Sequence, residues 1–242
     1  MSIEETEDIK KGTDIKVLEG NIEFDRVCMN YGDKEVLKDI SFTIQKGQKV
    51  TIVGRTGVGK TTLTGLLMRL YETTSGCILI DGYNIKDLTI ECIRRNISYI
   101  SQSPYIFKDT VRNNIILGSK EIVNNDILNL AEEIGASSIF NNLKNGLDTE
   151  IMSSRLSSGE LQIIAFLRAI LHKTNIYIFD EPTANLDFKT EKMIQNIIDT
   201  IAKTSTVIVI AHRKSTIEKS DKVIFLKDGK VEKIDNKVKE VL

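Results

Sequence analysis

The chain has 242 residues, 41% hydrophobic and 28% charged, which is typical of one large globular domain or two small ones. A net charge of −1 leaves no electrostatic footprint for nucleic acid, and no apolar run reaches the roughly 18 residues of a membrane-spanning helix. We expect no secretory signal, because the first residues are polar, and the three cysteines lack a C-x-x-C spacing, which favours buried thiols of a reducing cytosol over a metal site.

The N-terminal part begins with a charged stretch of little periodicity. Residues 1–20 are predicted to lie outside the core, either as a linker or leader or because the sequence is cut from a longer chain. Residues 21–31 and 40–44 alternate apolar and polar side chains, which predicts two half-buried antiparallel strands.

A glycine-rich loop follows a short apolar run at residues 50–53, which predicts a buried strand. After the loop, apolar side chains recur at helical spacing and predict one face of a helix: Leu63, Leu66, Leu67 and Leu70. The loop itself matches the pattern G-x-x-x-x-G-K-[ST] and consists of Gly54, Arg55, Thr56, Gly57, Val58, Gly59, Lys60, Thr61 and Thr62.

This strand–loop–helix context predicts a phosphate-binding loop. Glycines let successive backbone N–H groups turn toward an anion, and the helix N-terminus adds a positive dipole. Lys60 is predicted to reach the β- and γ-phosphates and the Thr61 hydroxyl to ligate Mg²⁺. We therefore predict that this stretch binds a nucleotide.

The remaining chain alternates strand and helix patterns around a different middle region. Residues 104–154 are rich in asparagine, include a helical pattern at 126–134, and predict a helical insertion. Strands are predicted at 77–80, 97–100, 176–179 and 206–210, a buried helix at 159–172, an amphipathic helix through Ile194, Ile197, Ile198 and Ile201, and a hairpin at Asp228 and Gly229.

Polar residues follow several predicted strands, where ligands bind in open parallel sheets. Asp180 is predicted to hold Mg²⁺, and Glu181 to orient or deprotonate a water; a helix cap or turn is the alternative for such an aspartate. His212 is predicted to sense the γ-phosphate, although a structural role is the common one for a lone histidine. Gln102 follows another strand, where its carbonyl is a candidate metal ligand.

These residues, in this order, resemble the ATP-binding cassette (ABC) family over about residues 21–230. Leu156, Ser157, Ser158, Gly159 and Glu160 look like its signature, usually Leu-Ser-Gly-Gly-Gln. The resemblance implies that Tyr31 stacks on adenine, that Gln102 is the Q-loop glutamine, that His212 is the switch histidine, and that residues 181–187 run from the catalytic glutamate to the D-loop.

The resemblance also implies a mechanism. Two cassettes, identical or different, pack head to tail around two ATP molecules, and a transmembrane domain on the same or a separate polypeptide completes the transporter at the cytoplasmic face of the membrane. The residues implied to contact the partner's ATP are Ser157, Ser158, Gly159, Glu160 and Asp187.

Residues 102–115 and 19–24 resemble the exporter class, so ATP hydrolysis that powers export is the predicted function. An importer ATPase subunit and a nucleotide-binding regulatory cassette with weak hydrolysis stay open as alternatives. A DNA-repair or translation ABC protein is disfavoured, because no long coiled-coil or second cassette is present.

The signature departs from the usual one at Ser158 and Glu160, so we expect weaker sandwich dimerisation. The Gly-Glu loop that usually precedes an exporter signature is also missing from residues 149–155, which puts coupling to a membrane domain through that loop in doubt.

The predicted fold is α/β: a P-loop NTPase core with a mostly parallel sheet, an N-terminal antiparallel β subdomain and an inserted α-helical subdomain. The predicted organisation is a linker at 1–20 and a nucleotide-binding domain at 21–242, with its core at about 21–102 and 160–242 and the helical subdomain at about 103–159.

Overall fold

The computed structural model describes residues 11–153, 156–184, 186–211 and 213–236. Within these ranges the chain folds into a larger, mostly parallel sheet, a smaller antiparallel sheet, and helices that cover both. The predicted phosphate loop, Asp180 and Glu181 lie at one edge of the larger sheet, where parallel strands end and their connections begin.

The central strands of the larger sheet are mostly apolar and buried on both faces, as in parallel sheets generally, whereas its edge strand at residues 230–236 is polar and largely exposed. The edge strand at residues 230–236 pairs antiparallel with its neighbour, and the other neighbouring pairs are parallel. The strands, in the order in which they lie side by side, are β10 (Lys230–Asn236), β9 (Lys222–Lys227), β3 (Lys49–Val53), β8 (Thr206–Ile210), β7 (Ile176–Asp180) and β6 (Ile97–Ile100).

The smaller sheet is antiparallel throughout and buries one face. The predicted alternation is confirmed, since Ile22 and Phe24 are buried, and Phe24 stacks on Phe42 with ring centroids 4.5 Å apart. Its strands, in spatial order, are β2 (Lys34–Ile44), β1 (Ile22–Tyr31), β4 (Ser75–Ile80) and β5 (Tyr83–Asn84).

Helices connect the parallel strands, and several shorter ones lie between β6 and the helix that precedes β7. That region also contains the 3₁₀ turns Gly146–Asp148 and Ile151–Ser153, so the described part of the stretch predicted as a helical insertion is indeed mainly helical. The α-helices are α1 (Lys60–Leu67), α2 (Ile90–Asn96), α3 (Val111–Ile116), α4 (Asn124–Glu133), α5 (Ser137–Asn141), α6 (Ser158–Leu171), α7 (Phe188–Ile201) and α8 (Lys214–Glu218).

Two hydrophobic clusters lie on opposite faces of the larger sheet. Because side chains alternate along a strand, Ile178 and Ile208 join the cluster that also contains α1 and the smaller sheet. Phe179 and Val209 join the cluster that contains α6, α7 and the short helices. The sheet therefore holds the phosphate loop against one layer and the signature segment against the other.

The first helix is shorter than the leucine spacing predicts. It ends at Leu67, and Leu70 is 57% exposed instead of continuing the buried face. Arg69 adopts φ +51°, and the Leu70 N–H donates to the Gly65 carbonyl at 2.9 Å, which closes the helix in a left-handed turn. The leucine spacing predicts the helix correctly but not its end, because the left-handed turn at Arg69 comes before Leu70.

Of residues 1–20, which were expected to lie outside the core, the structure describes 11–20, and the last part of this stretch packs into the core. Leu18 is 1% exposed and belongs to the hydrophobic cluster under the smaller sheet. Its N–H donates to Asn96 Oδ1 at 2.8 Å, and its carbonyl accepts from Asn175 Nδ2 at 2.9 Å. The expectation of buried thiols also holds only for Cys92, since Cys28 and Cys77 are partly exposed.

Candidate nucleotide-binding site

The loop between β3 and α1 is shaped by two glycines that leave no room for a side chain. Gly59, which precedes α1, has φ +105°, and a Cβ there would lie 2.6 Å from Leu37 Cδ2 in β2. A Cβ on Gly54 would lie 2.6 Å from the Leu226 carbonyl oxygen in β9. The loop is therefore packed between β2 of the smaller sheet and β9 of the larger sheet, which fixes its path.

The side chain of Lys60 lies across this loop. Its ammonium donates to the carbonyls of Gly54 at 2.8 Å and Arg55 at 3.1 Å. Burial lowers the pKa of Lys60, and the carboxylates of Glu181 and Asp180 act in the opposite direction, so both lie close enough to influence it. Gly59 supplies no side-chain cap, so it leaves first-turn amides of α1 for an acceptor from outside the helix, such as a phosphate.

A cavity of about 910 Å³ opens beside the loop, which is the size of a small-molecule site. Arg55, Thr56 and Gly57 are exposed on its wall, whereas Val58 and Thr62 are half-buried. Lys34 and Val36 of β2 also line it. The first five loop residues, 54–58, therefore border one space, whereas Gly59, Lys60, Thr61 and Thr62 do not line it.

Asp180 is the last residue of β7 and is buried at the same sheet edge. Its Oδ2 accepts a hydrogen bond from the Thr61 hydroxyl at 3.1 Å and another from the Tyr99 hydroxyl at 3.1 Å. Burial raises the pKa of Tyr99, and the charge of Asp180 raises it further, so Tyr99 stays a proton donor. Two residues 119 positions apart, predicted as metal ligands, are thus in direct contact.

Glu181 follows Asp180 in a left-handed backbone conformation, with φ +47°. Its N–H donates to the carbonyl of Ile210, the last residue of β8, at 3.0 Å. For a residue with a Cβ this conformation costs about 1–2 kcal/mol. Such strain is retained where the surrounding structure imposes it, often at functional sites.

The signature segment forms the N-terminus of α6. Ser157 is the N-cap: its hydroxyl accepts from the Glu160 N–H at 3.3 Å, and the Glu160 carboxylate accepts from the Ser157 N–H at 2.7 Å and from its hydroxyl at 2.9 Å. Ser158 is exposed. A Cβ on Gly159 would lie 3.1 Å from Thr190 Cγ2, so this buried glycine also sets how closely α6 packs on α7.

Asp187 has a local role as the N-cap of α7. Its carboxylate accepts from the N–H groups of Lys189 and Thr190, at 2.9 and 3.1 Å, and from the Thr190 hydroxyl at 2.7 Å. These bonds, led by the one from the Thr190 side chain, lower the pKa of Asp187. A helix cap was the alternative weighed for Asp180, whereas the structure gives that role to Asp187.

The other predicted residues are more dispersed. Tyr31 ends β1 and is 42% exposed, and Gln102 is exposed two residues after β6. His212 lies outside the described residues. The structure thus brings the phosphate loop, Asp180 and Glu181 together, while the signature and Asp187 lie at the start of two adjoining helices.

Comparison with known proteins decides the family. The sequence profile of the family described as ABC transporter matches residues 37–184, more than half of the chain. The chain belongs to the ABC transporter family. The resemblance to an exporter-type ABC nucleotide-binding domain that the sequence predicts is therefore confirmed, as is the α/β fold with an N-terminal antiparallel sheet.

Similar ABC proteins include two from Staphylococcus aureus, of strains NCTC 8325 and bovine RF122, whose names refer to multidrug export and to an ATP-binding/permease protein. They are 39% and 38% identical over 236 residues, which is 95% of this chain and 41% of each relative. A structure described as a bacterial Atm1-family ABC exporter with ATP bound matches with a TM-score of 0.86 and 33% identity, over 95% of this chain and 41% of that one. The chain thus spans about two fifths of the length of these ABC relatives.

In the part of this ABC chain that the structure describes, no helix has the length and apolar character to cross a membrane. Two further residues join the site. Tyr99 contacts Asp180, and Arg213 donates to the Thr183 carbonyl at 3.2 Å and forms an ion pair with Glu191 of α7. No local sequence pattern predicts either residue. The pairing of β6 with β7 places Tyr99 beside Asp180, and packing against α7 places Arg213 beside Glu191.

Proposed function

We propose that the chain binds ATP with Mg²⁺ and hydrolyses it, as the nucleotide-binding part of an ABC exporter. The observation that carries the proposal is the hydrogen bond between the Thr61 hydroxyl and the buried Asp180 carboxylate. It joins the start of the phosphate-loop helix to the end of β7, which is where a nucleoside triphosphatase needs its metal ligands.

The oxygen donors fit magnesium. Thr61 Oγ1 and Asp180 Oδ2 are hard ligands, and the described residues contain no cluster of three or more His, Cys, Asp or Glu that would form an all-protein cage. Magnesium is usually held by one or two carboxylates together with substrate phosphates, and Gln102 is proposed as a third ligand. When bound, the ion neutralises charge that develops on the phosphates.

The protein's own groups divide the remaining work. The α1 amides and the Lys60 ammonium bind the phosphates, with phosphate oxygens replacing the loop carbonyls as acceptors for Lys60. Glu181 orients the attacking water and accepts its proton. His212 contacts the γ-phosphate, and Tyr31 stacks on the base.

We further propose that two cassettes sandwich ATP, each supplying its signature segment and Asp187 to the partner's nucleotide. The names of the Staphylococcus relatives join an ATP-binding part to a permease, which supports a transmembrane partner and a position at the cytoplasmic face of the membrane. The exposed Ser158 and the N-terminus of α6 are then the groups offered to the second ATP.

The test is Glu181→Gln, which keeps the shape of the side chain and removes its basicity. We expect ATP binding to stay close to that of the parent while steady-state hydrolysis falls by roughly 10²- to 10⁴-fold. Glu132→Gln makes the same chemical change on an exposed position of α4 and should leave hydrolysis unchanged. Parental turnover by Glu181→Gln would show that another group is the base.

A regulatory cassette with weak hydrolysis is the second candidate, and the capping box favours it, because the Glu160 carboxylate already occupies the Ser157 hydroxyl. ATPase activity measured over a range of protein concentrations separates the two. A rate that rises more than linearly with concentration indicates a catalytic dimer, and no activity at any concentration indicates the regulatory cassette.

A further inference from the structure

The ring of Tyr31 is held by a second tyrosine. Tyr71 meets Tyr31 edge to face, with ring centroids 5.4 Å apart and an interplanar angle of 90°. Both rings are partly exposed, at 42% and 43%, so the pair lies at the surface of the domain. A hydrogen bond to Tyr31 raises the pKa of Tyr71, consistent with contact between the two phenols.

Tyr71 is itself fixed from two sides. A Cβ on Gly65 would lie 3.0 Å from Tyr71 Cε2, so the ring lies against the bare backbone of α1. The strand that bears Tyr31 is tied to the same loop: the Asn30 N–H donates to Thr74 Oγ1 at 3.0 Å, and the Thr74 N–H donates to the Cys28 carbonyl at 2.9 Å. The loop that follows α1 therefore carries Tyr71 to the end of β1.

This arrangement links two parts of the nucleotide site that are far apart in sequence. Tyr31 pairs with Lys34, which lines the cavity beside the phosphate loop, and α1 begins with Lys60 at the phosphates. The two rings thus join the strand proposed to carry the base platform to the helix that begins at the phosphate loop.

We propose that Tyr71 is a positioning residue for the nucleobase, which fixes the orientation of the Tyr31 ring. The inference rests on the proposed function, because it needs Tyr31 to stack on the base. A half-exposed ring without a partner samples several rotamers and must be ordered when the base binds, and a ring already held avoids that cost. Tyr71 thus strengthens base binding without touching the nucleotide.

The buried glycine supports this interpretation. Glycine inside a helix is destabilising relative to alanine, and Gly65 lies within α1, with only Tyr71 atoms near the place of a side chain. The residue of lowest helix propensity in α1 therefore lies where the Tyr71 ring packs against the helix.

The experiment measures binding of ADP and of inorganic pyrophosphate to the purified chain by calorimetry. Tyr71→Leu should weaken ADP binding roughly 2- to 10-fold, which is the range expected for an edge-to-face pair, and leave pyrophosphate binding unchanged. Tyr71→Phe keeps the ring and should restore most of the affinity. Tyr83→Leu replaces an exposed tyrosine of the smaller sheet and should change neither ADP binding nor pyrophosphate binding.

Two further variants separate positioning from general stability. In a Tyr31→Ala background, Tyr71→Leu should have no additional effect on ADP binding; an equal loss in both backgrounds overturns the inference. Gly65→Ala should raise the thermal midpoint while it weakens ADP binding, because the methyl group displaces the Tyr71 ring. Pyrophosphate binding that falls in parallel also overturns it.

The failures are distinguishable. If the parent binds neither ADP nor ATP, the proposed function fails and the inference fails with it. If the parent binds ADP and Tyr71→Leu binds it equally well, only the inference fails.

Discussion

The packing that holds the phosphate loop can be tested with two glycines that differ in one respect. Gly59 and Gly57 both have positive φ, at +105° and +81°. A Cβ at Gly59 would lie 2.6 Å from Leu37 Cδ2, whereas a Cβ at Gly57 would meet nothing within 4 Å. Gly57→Ala therefore serves as the matched control, because both variants strain the backbone but only Gly59→Ala also crowds a neighbouring side chain.

The expected magnitudes follow from these contacts. In each variant the left-handed conformation lowers the free energy of unfolding by about 1–2 kcal/mol. Alanine also makes the unfolded chain stiffer, which offsets part of this loss to a similar extent in both variants. Gly59→Ala also overpacks a fully buried leucine, since Leu37 is 0% exposed, and overpacking costs about 1–3 kcal/mol. The two variants should therefore differ by about 1–3 kcal/mol, or roughly 2–12 °C in thermal midpoint for a domain of this size.

Urea unfolding of both variants without nucleotide gives this difference directly, provided that the slope with denaturant is unchanged. Gly59→Ala should also lose phosphate binding, because α1 begins at the next residue. Equal losses of stability in the two variants would refute the idea that strand β2 presses on the loop, and would leave backbone strain as the whole effect.

Two predictions concern the helix caps. Glu160→Gln keeps an acceptor for the Ser157 N–H but removes a charge from the α6 N-terminus, so the free energy of unfolding should fall by about 0.3–1 kcal/mol, while ATPase activity at low protein concentration should rise; unchanged activity would contradict a role for that charge. Because Thr190 lowers the pKa of Asp187, the stability this carboxylate confers is present above its ordinary value of 3.8 and is lost as pH falls below it. Acid unfolding curves of Asp187→Asn should accordingly show a weaker pH dependence than the parent; identical curves would exclude this linkage.

The sequence predicted the framework because its signals are local. Four consecutive apolar residues specify β7, and another four specify β8, and the structure confirms both strands. Since β7 ends one residue after its apolar run, at Asp180, the position of this aspartate at the sheet edge follows from the same pattern. The glycine spacing likewise predicted a loop between β3 and α1.

Contacts between distant residues could not be predicted in this way. Tyr99 reaches Asp180 across 81 positions, and Leu18 reaches Asn96 across 78, so neither shows in any periodicity. The capping box is a different case, because Ser157 and Glu160 follow the S-x-x-E spacing that predicts it. The Glu160 carboxylate, one of the two departures from the usual signature, is hydrogen-bonded to the N-cap residue of its own helix.

The docked stretch before β1 has a mechanical consequence. Thr13 exchanges backbone hydrogen bonds with Asp87 and Thr89, Leu18 is anchored as described, and the Asp81 carboxylate accepts N–H groups from residues 19–21. A pull on the chain at residue 11 is therefore resisted first beside α2 and next at the start of β7, before it reaches β1. Force applied at this end is thus passed to the body of the domain through these hydrogen bonds.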